Sequence, residues 1–301
     1  MKTFNKKKIY LFLSGGLGNQ LFQYAYARNI SIKNKADLIV DTYSGFIFDF
    51  KYFRRFSLNI KIKKDIIFFF SVFRILKQFF FPVKLINNFF SISIINEFPF
   101  FKSFSKKILN LKINKTIYLF GLFQSDKYFL ENQKKIMPEL MPVKPKFINF
   151  LTKQEEIVKD NSVIVGFRFF EEASDSSIRI AGGITSIDFY IESIKLILNK
   201  IKNPKFYLFS QNLENLKINL RNIIILNKYF CSFVTPQQGF KDENANLWLM
   251  SYSKNFIIPN STFYWWGAYF SRYRFKKNNV ICANNFPNKH IYLNDWNIIK
   301  K

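Results

Sequence analysis

The sequence predicts an α/β protein of two doubly wound domains, each a parallel sheet covered by helices and the two facing a cleft. Three observations carry this expectation. Short apolar runs of strand length alternate with helical stretches in both halves of the chain. The first run passes through a glycine turn straight into a helix, the opening of a parallel α/β unit. A stretch at 137–146 carrying Pro138, Pro142 and Pro145 divides the chain near its middle. The expected domains are therefore 1–145 and 146–301.

In the first domain, residues 8–13 form the opening strand and Gly15-Gly16-Leu17-Gly18 the turn. The helix at 19–33 places Leu21, Phe22, Ala25 and Ile30 on one packed face, and 37–40 is a second strand. Residues 45–115 are rich in Phe and Lys and mostly helical by pattern, an insertion in this domain. A strand at 116–123 then leads into Gln124-Ser125-Asp126-Lys127-Tyr128-Phe129. In the second domain, strands are expected at 162–167, 205–210, 255–259 and 280–283, with a further apolar run at 223–226. Helices are expected at 187–199, 244–253 and 261–271.

Bulk composition bounds the function. With 301 residues and 49% apolar content the chain can bury two cores. A net charge of +26 favours anionic partners: nucleic acid, an anionic membrane surface, or nucleotide-sugar and phosphorylated-lipid substrates. No zinc-finger spacing, RNP-like aromatic motif or basic-leucine heptad is present, and the basic residues are scattered, so no nucleic-acid partner is expected. Cys231 and Cys282 form neither a metal motif nor a disulfide framework, which suits a reducing cytoplasm. A single histidine, His290, excludes most histidine-dependent triads. Lys6 to Lys8 precede only a short apolar run, so no secretory signal is expected. The apolar stretch 66–101 is broken by Arg74, Lys77, Lys84 and Glu97, too often for the roughly 18–20 residues of a spanning helix. Two readings of it stand: a buried helical subdomain, or a segment lying on a membrane with aromatic rings in the interface.

The glycine turn lies where backbone amides can face an anion. It lacks both the dinucleotide spacing GxGxxG and the Lys-Ser/Thr of a phosphate loop. Asn19 and Gln20, polar at an otherwise apolar helix start, require hydrogen-bond partners that a bound ligand can supply.

The run GGLGNQLFQYAYA resembles the start of the α-1,2-fucosyltransferases of glycosyltransferase family 11. Three further segments follow in the family's order. The run 121–129 is similar to its glycine-aromatic-aromatic-Gln-Ser-x-Lys-Tyr-Phe block, and Val165-Gly166-Phe167-Arg168 stands where the family has HxRRxD. Leu249-Met250-Ser251 through Asn260-Ser261-Thr262-Phe263-Tyr264-Trp265-Trp266-Gly267-Ala268 is similar to its LMS…NSTFSWWGA block. The resemblance covers residues 8 to about 285. It implies a GT-B-like fold, GDP-fucose held mainly by the C-terminal half, and transfer with inversion to a galactose 2-hydroxyl.

Residue chemistry adds detail. A departing nucleoside diphosphate needs its charge stabilised, and no two aspartates stand two positions apart to hold a metal. A guanidinium with helix-terminal amides is the alternative, so neither metal nor cofactor is expected. Arg168 at a strand end is the candidate guanidinium. Gly16, Gly18, Asn19, Gln20, Ser210, Asn260, Ser261 and Thr262 complete the expected donor-binding set, the last two serving as helix caps or as phosphate donors. Glu171 and Glu172 are candidate bases, with Asp175 in reserve; deprotonation by the departing phosphate is the alternative.

Several family carboxylates and basic groups are replaced here. The His of HxRRxD is Gly166, its second Arg is Phe169, and its Asp falls near Glu171. The FSDD-like segment reads Phe209-Ser210-Gln211-Asn212, and the Asp often preceding LMS is Asn246. The expectation is a cytoplasmic transferase at the inner face of the membrane, acting on an oligosaccharide or glycolipid acceptor. The alternatives are a same-fold transferase for another nucleotide sugar and a membrane-associated non-catalytic relative.

Overall fold

The computed structural model describes residues 7–47, 49, 54–61, 63–67, 93–97, 104–169 and 182–299. The chain divides into two compact units, residues 1–140 and 141–301. Among the described residues each contains one sheet, and every pairing in both sheets is parallel.

In the first unit the strands are β1 (Lys8–Phe12), β2 (Asp37–Asp41), β3 (Lys63–Asp65), β4 (Ser93–Asn96) and β5 (Ile117–Phe120), in the order β3-β2-β1-β5-β4. Helix α1 (Leu17–Asn34) links β1 to β2 and is buried around most of its circumference, which explains its run of Leu, Phe, Tyr and Ala. It ends where Lys35 turns into the left-handed region and its N–H returns to the Ile32 carbonyl. A one-turn helix α2 (Lys106–Leu109) precedes β5, and α3 (Gln133–Leu140) closes the unit. The bidentate pair of Arg28 with Glu139, joined by the Tyr24 hydroxyl at 2.7 Å, ties α3 to α1.

The expected helical insertion at 45–115 is described only in part. Its described residues hold two strands, β3 and β4, and one helical turn; the remainder lies outside the described residues. Both strands are short sheet edges, and the fully exposed Lys63-Lys64-Asp65 has no apolar alternation to announce it. The two readings of 66–101 likewise fall mostly outside the described residues.

In the second unit the order is β11-β10-β9-β6-β7-β8, with β6 (Ser162–Gly166), β7 (Lys205–Phe209), β8 (Cys231–Val234), β9 (Asn255–Ile258), β10 (Asn279–Ala283) and β11 (Asn297–Ile299). This is the dinucleotide-fold order, three strands running outward to each side of a central break. The strand β6 is buried at every position, as a central parallel strand must be. One core joins its Val163 and Val165 to Phe189, Ile194 and Ile197 of helix α5 (Ile187–Leu198) and to Ile257 of β9. Helices α4 (Ile148–Lys159), α6 (Leu213–Leu220), α7 (Glu243–Met250) and α8 (Thr262–Phe275) complete the unit. The apolar run at 223–226 enters a 3-10 turn, and the strand follows at Cys231–Val234. Pairing with β7 selects the later segment, an edge strand with weak alternation of its own.

Ile257 is fully buried at the centre of this sheet. Ile257→Ala is expected to destabilise the protein by about 2–5 kcal/mol, read as a lower urea midpoint with unchanged slope.

Candidate active site

A doubly wound sheet leaves a crevice where its strand order reverses, at the carboxyl ends of the two strands that flank the break. In the first unit those strands are β1 and β5. Beyond β1 lies the glycine turn; beyond β5 lies the run 121–124. Blocks separated by about a hundred residues therefore meet, and the Gln124 amide donates to the Asn19 side-chain oxygen at 2.9 Å.

Gly15 takes φ +77, a conformation that side chains rarely adopt, and so allows the turn into α1. Gly16 occupies the cap position with no side-chain cap, while its carbonyl receives Asn19 N–H at 2.9 Å and Gln20 N–H at 3.1 Å. The helix start thus carries no side-chain cap and no acidic residue, an electrostatic setting suited to an anion. Gly18 is buried within α1.

Gln20 is placed otherwise than the sequence led us to expect. Its amide donates to the carbonyls of Gly15 and Arg55, both at 2.9 Å, and accepts from Ser57 N–H at 2.9 Å. It is fully buried and fastens the segment around Arg55 to the turn. Gln23, unremarked in sequence, does similar work by accepting from Ser14 N–H at 3.1 Å.

The turn after β5 depends on Glu97, at the end of β4. One carboxylate oxygen accepts from Leu122 N–H at 3.0 Å and Phe123 N–H at 2.5 Å; the other receives the Tyr128 hydroxyl at 3.2 Å. The turn needs such anchoring, because Gly121 has φ +153 and the buried Phe123 has φ +49. Burial pushes the Glu97 carboxyl up to about 7 against the lowering effect of these three donors.

In the second unit the order reverses between β6 and β9. Arg168 stands two residues beyond Gly166, the last of β6, and Asn260-Ser261-Thr262 stands just beyond β9 at the start of α8. Adjacent strands therefore bring together the two blocks that were expected to hold the donor. Ser261 is the cap residue of α8 and is buried, yet its side chain makes no cap hydrogen bond. Asn260 N–H donates to the Thr185 hydroxyl at 3.4 Å. That segment is pinned in turn, since the Asn285 amide donates to the Gly182 and Gly183 carbonyls at 3.2 and 3.0 Å.

Ser210 of the expected set, and Asn246 where the family often has Asp, make local bonds. Ser210 exchanges hydrogen bonds with the backbone of Asn212 at 3.2 and 3.3 Å, and Asn212 caps α6. The Asn246 amide donates to the Phe240 carbonyl at 3.0 Å. Glu171, Glu172 and Asp175 lie outside the described residues. Trp265 and Trp266 are both fully buried, and the Trp265 indole donates to the Ile291 carbonyl at 2.8 Å.

A family profile for glycosyl transferase family 11 matches residues 8–300. The chain belongs to glycosyltransferase family 11. It is 30% identical over 270 residues to the alpha-1,2-colitosyltransferase of Escherichia coli, covering 87% of each chain. It is 25% identical over 291 residues to the O-antigen biosynthesis glycosyltransferase WbnK of Escherichia coli, covering 89% of this chain and 92% of the relative. Among solved structures it is similar to the fucosyltransferase NodZ from Bradyrhizobium at 10% identity, with a TM-score of 0.46 and coverage of 89% and 92%.

The family 11 chain is thus a glycosyltransferase, and its described blocks gather at the two switch points. No helix among the described residues is long and apolar enough to cross a membrane. Glu97 was missed in sequence because it was read only as a charge interrupting an apolar stretch.

The raised Glu97 carboxyl makes stability depend on pH. Its proton is held more tightly in the folded than in the unfolded chain, so its contribution is complete below about 4.5 and is lost as pH rises through about 7. Wild type is expected to lose up to about 3 kcal/mol between pH 4.5 and pH 8 relative to Glu97→Gln, measured by urea unfolding of both proteins across that range.

Proposed function

We propose that this glycosyltransferase transfers fucose from GDP-fucose to the 2-hydroxyl of a galactose-type residue, with inversion and without a metal, in building a cell-surface oligosaccharide. The observation that carries this reading is that Arg168 and the Asn260-Ser261-Thr262 helix start follow the ends of the adjacent strands β6 and β9 at the switch point. A guanidinium and helix-terminal amides there would take up the charge of the departing GDP. The acceptor 2-hydroxyl oxygen bonds to the sugar's C1 as the C1–O bond to the diphosphate breaks. The bonding pair leaves with the phosphate oxygen, and the hydroxyl proton passes to Glu171, Glu172 or the departing phosphate. At the switch point of the first unit, Asn19 and its partner Gln124 carry side-chain amides of a kind suited to sugar hydroxyls.

A second donor is favoured by one observation: the relative at 30% identity is named an alpha-1,2-colitosyltransferase. Colitose differs from fucose by one missing hydroxyl, and this chain lacks family carboxylates at positions 211, 212 and 246. The O-antigen name of the second relative supports an oligosaccharide acceptor. The net charge of +26 supports peripheral attachment to an anionic membrane face.

Incubation with GDP-fucose or GDP-colitose and galactose-terminated acceptors should give an α-1,2 product from one donor in the presence of EDTA. Failure of every acceptor together with absence of GDP binding overturns the proposal; exclusive use of GDP-colitose replaces the donor. Arg168→Ala should lower turnover by at least about 100-fold, as expected for loss of a charge-assisted diphosphate contact, while leaving the melting temperature unchanged.

A further inference from the structure

Arg168 leaves β6 through a peptide bond that two tyrosine hydroxyls hold at its two ends. The Phe167 carbonyl oxygen accepts from the Tyr264 hydroxyl at 3.0 Å. The N–H of Arg168, the other half of the same peptide plane, donates to the Tyr190 hydroxyl oxygen. That hydroxyl in turn donates to the Gly166 carbonyl at 3.1 Å, and the Tyr190 ring stacks on Phe167 at 4.4 Å between centroids. The Tyr264 proton also faces the Phe209 carbonyl at 2.9 Å, which receives Phe167 N–H at 2.8 Å.

These bonds act where the sheet no longer does. The β6–β7 ladder ends at Gly166 opposite Phe209 with a last bond from Phe167 N–H, so an ordinary chain would be free to turn about the Phe167–Arg168 peptide that follows. Burying two phenol hydroxyls is unfavourable unless each finds partners, and here the partners lie around this one peptide. Tyr190 comes from α5 and Tyr264 from the first turn of α8, so two helices converge on the peptide before Arg168.

The space is matched as closely as the polarity. A Cβ added at Gly166 would lie 2.6 Å from Cγ of the Tyr264 ring, well inside van der Waals contact. In the motifs that these two blocks resemble, His stands at the position of Gly166 and Ser at that of Tyr264, so small and large are interchanged between the two sides of this contact.

We propose that Tyr190 and Tyr264 are positioning residues for Arg168, locking the Phe167–Arg168 peptide so that the guanidinium is presented to the donor diphosphate, and that Gly166 and Tyr264 are a matched pair. The inference rests on the assignment of Arg168 to the diphosphate.

A double-mutant cycle tests it. GDP binding is measured by calorimetry for wild type, Tyr264→Phe, Tyr190→Phe, Arg168→Ala and each Tyr→Phe combined with Arg168→Ala. The Phe variants keep the rings, and thermal melts check that they fold. Each is expected to weaken GDP binding by about five- to tenfold, the size of one lost hydrogen bond, and Arg168→Ala by about 100-fold. In the Arg168→Ala background the Tyr→Phe changes should have no further effect. Unchanged GDP affinity in the Phe variants, or the same loss with and without Arg168, overturns the positioning role. Gly166→His and Tyr264→Ser should each weaken binding, with most of it restored in the double variant; a double variant weaker than both singles overturns the matched pair. The cycle is repeated with inorganic pyrophosphate. Coupling to pyrophosphate without GDP binding retains this inference and removes the guanosine donor; binding of neither by wild type overturns both.

Discussion

The peptide between Phe167 and Arg168 is the narrowest constraint in the second unit. The strand β6 is buried on both faces and its one polar side chain, Ser162, is bonded to Ser253, so chemistry has to begin where the strand stops. That place is also where backbone hydrogen bonding ends and conformational freedom returns. Two buried tyrosine hydroxyls remove that freedom, and they do so at the strand end next to the break in sheet order. Helix α5 and the first turn of α8 supply those hydroxyls, and the absence of a side chain at Gly166 leaves room for the Tyr264 ring.

The first unit meets the same geometric requirement with different chemistry. Its turn after β5 departs from favoured backbone angles at Gly121 and Phe123, and a buried carboxylate accepts the amide protons that the strained turn exposes. Gln20 anchors the other side of the crevice by holding the Arg55–Ser57 segment. In one unit neutral phenols fix the strand end; in the other an acid does, and its burial leaves it titrating near neutrality.

The motif glycines, Arg168 and the Asn260-Ser261-Thr262 helix start were legible in sequence, because turns and strand ends announce themselves locally. Assigning work to individual side chains was harder. Gln20 and Ser210 look like ligand-facing polar groups, yet their partners are backbone atoms of this same chain. Glu97 reads as an interruption of an apolar stretch, and Tyr190 as one aromatic among many. The edge strands β3, β4, β8 and β11 were poorly announced, since an edge strand is chosen by the neighbour it pairs with more than by its own pattern.

Sequence alone determined the family, the two doubly wound sheets and the identity of the blocks that approach each switch point. Periodicity, glycine turns and a basic strand end are local properties that survive in a string of letters. Tertiary structure alone decided which polar groups, Gln20 and Glu97 among them, hold the scaffold. It also decided that Gly166 and Tyr264, 98 positions apart in sequence, form a single contact. A hydrogen-bonding group acts on whatever lies within about 3 Å of it, and only the folded chain determines what that is.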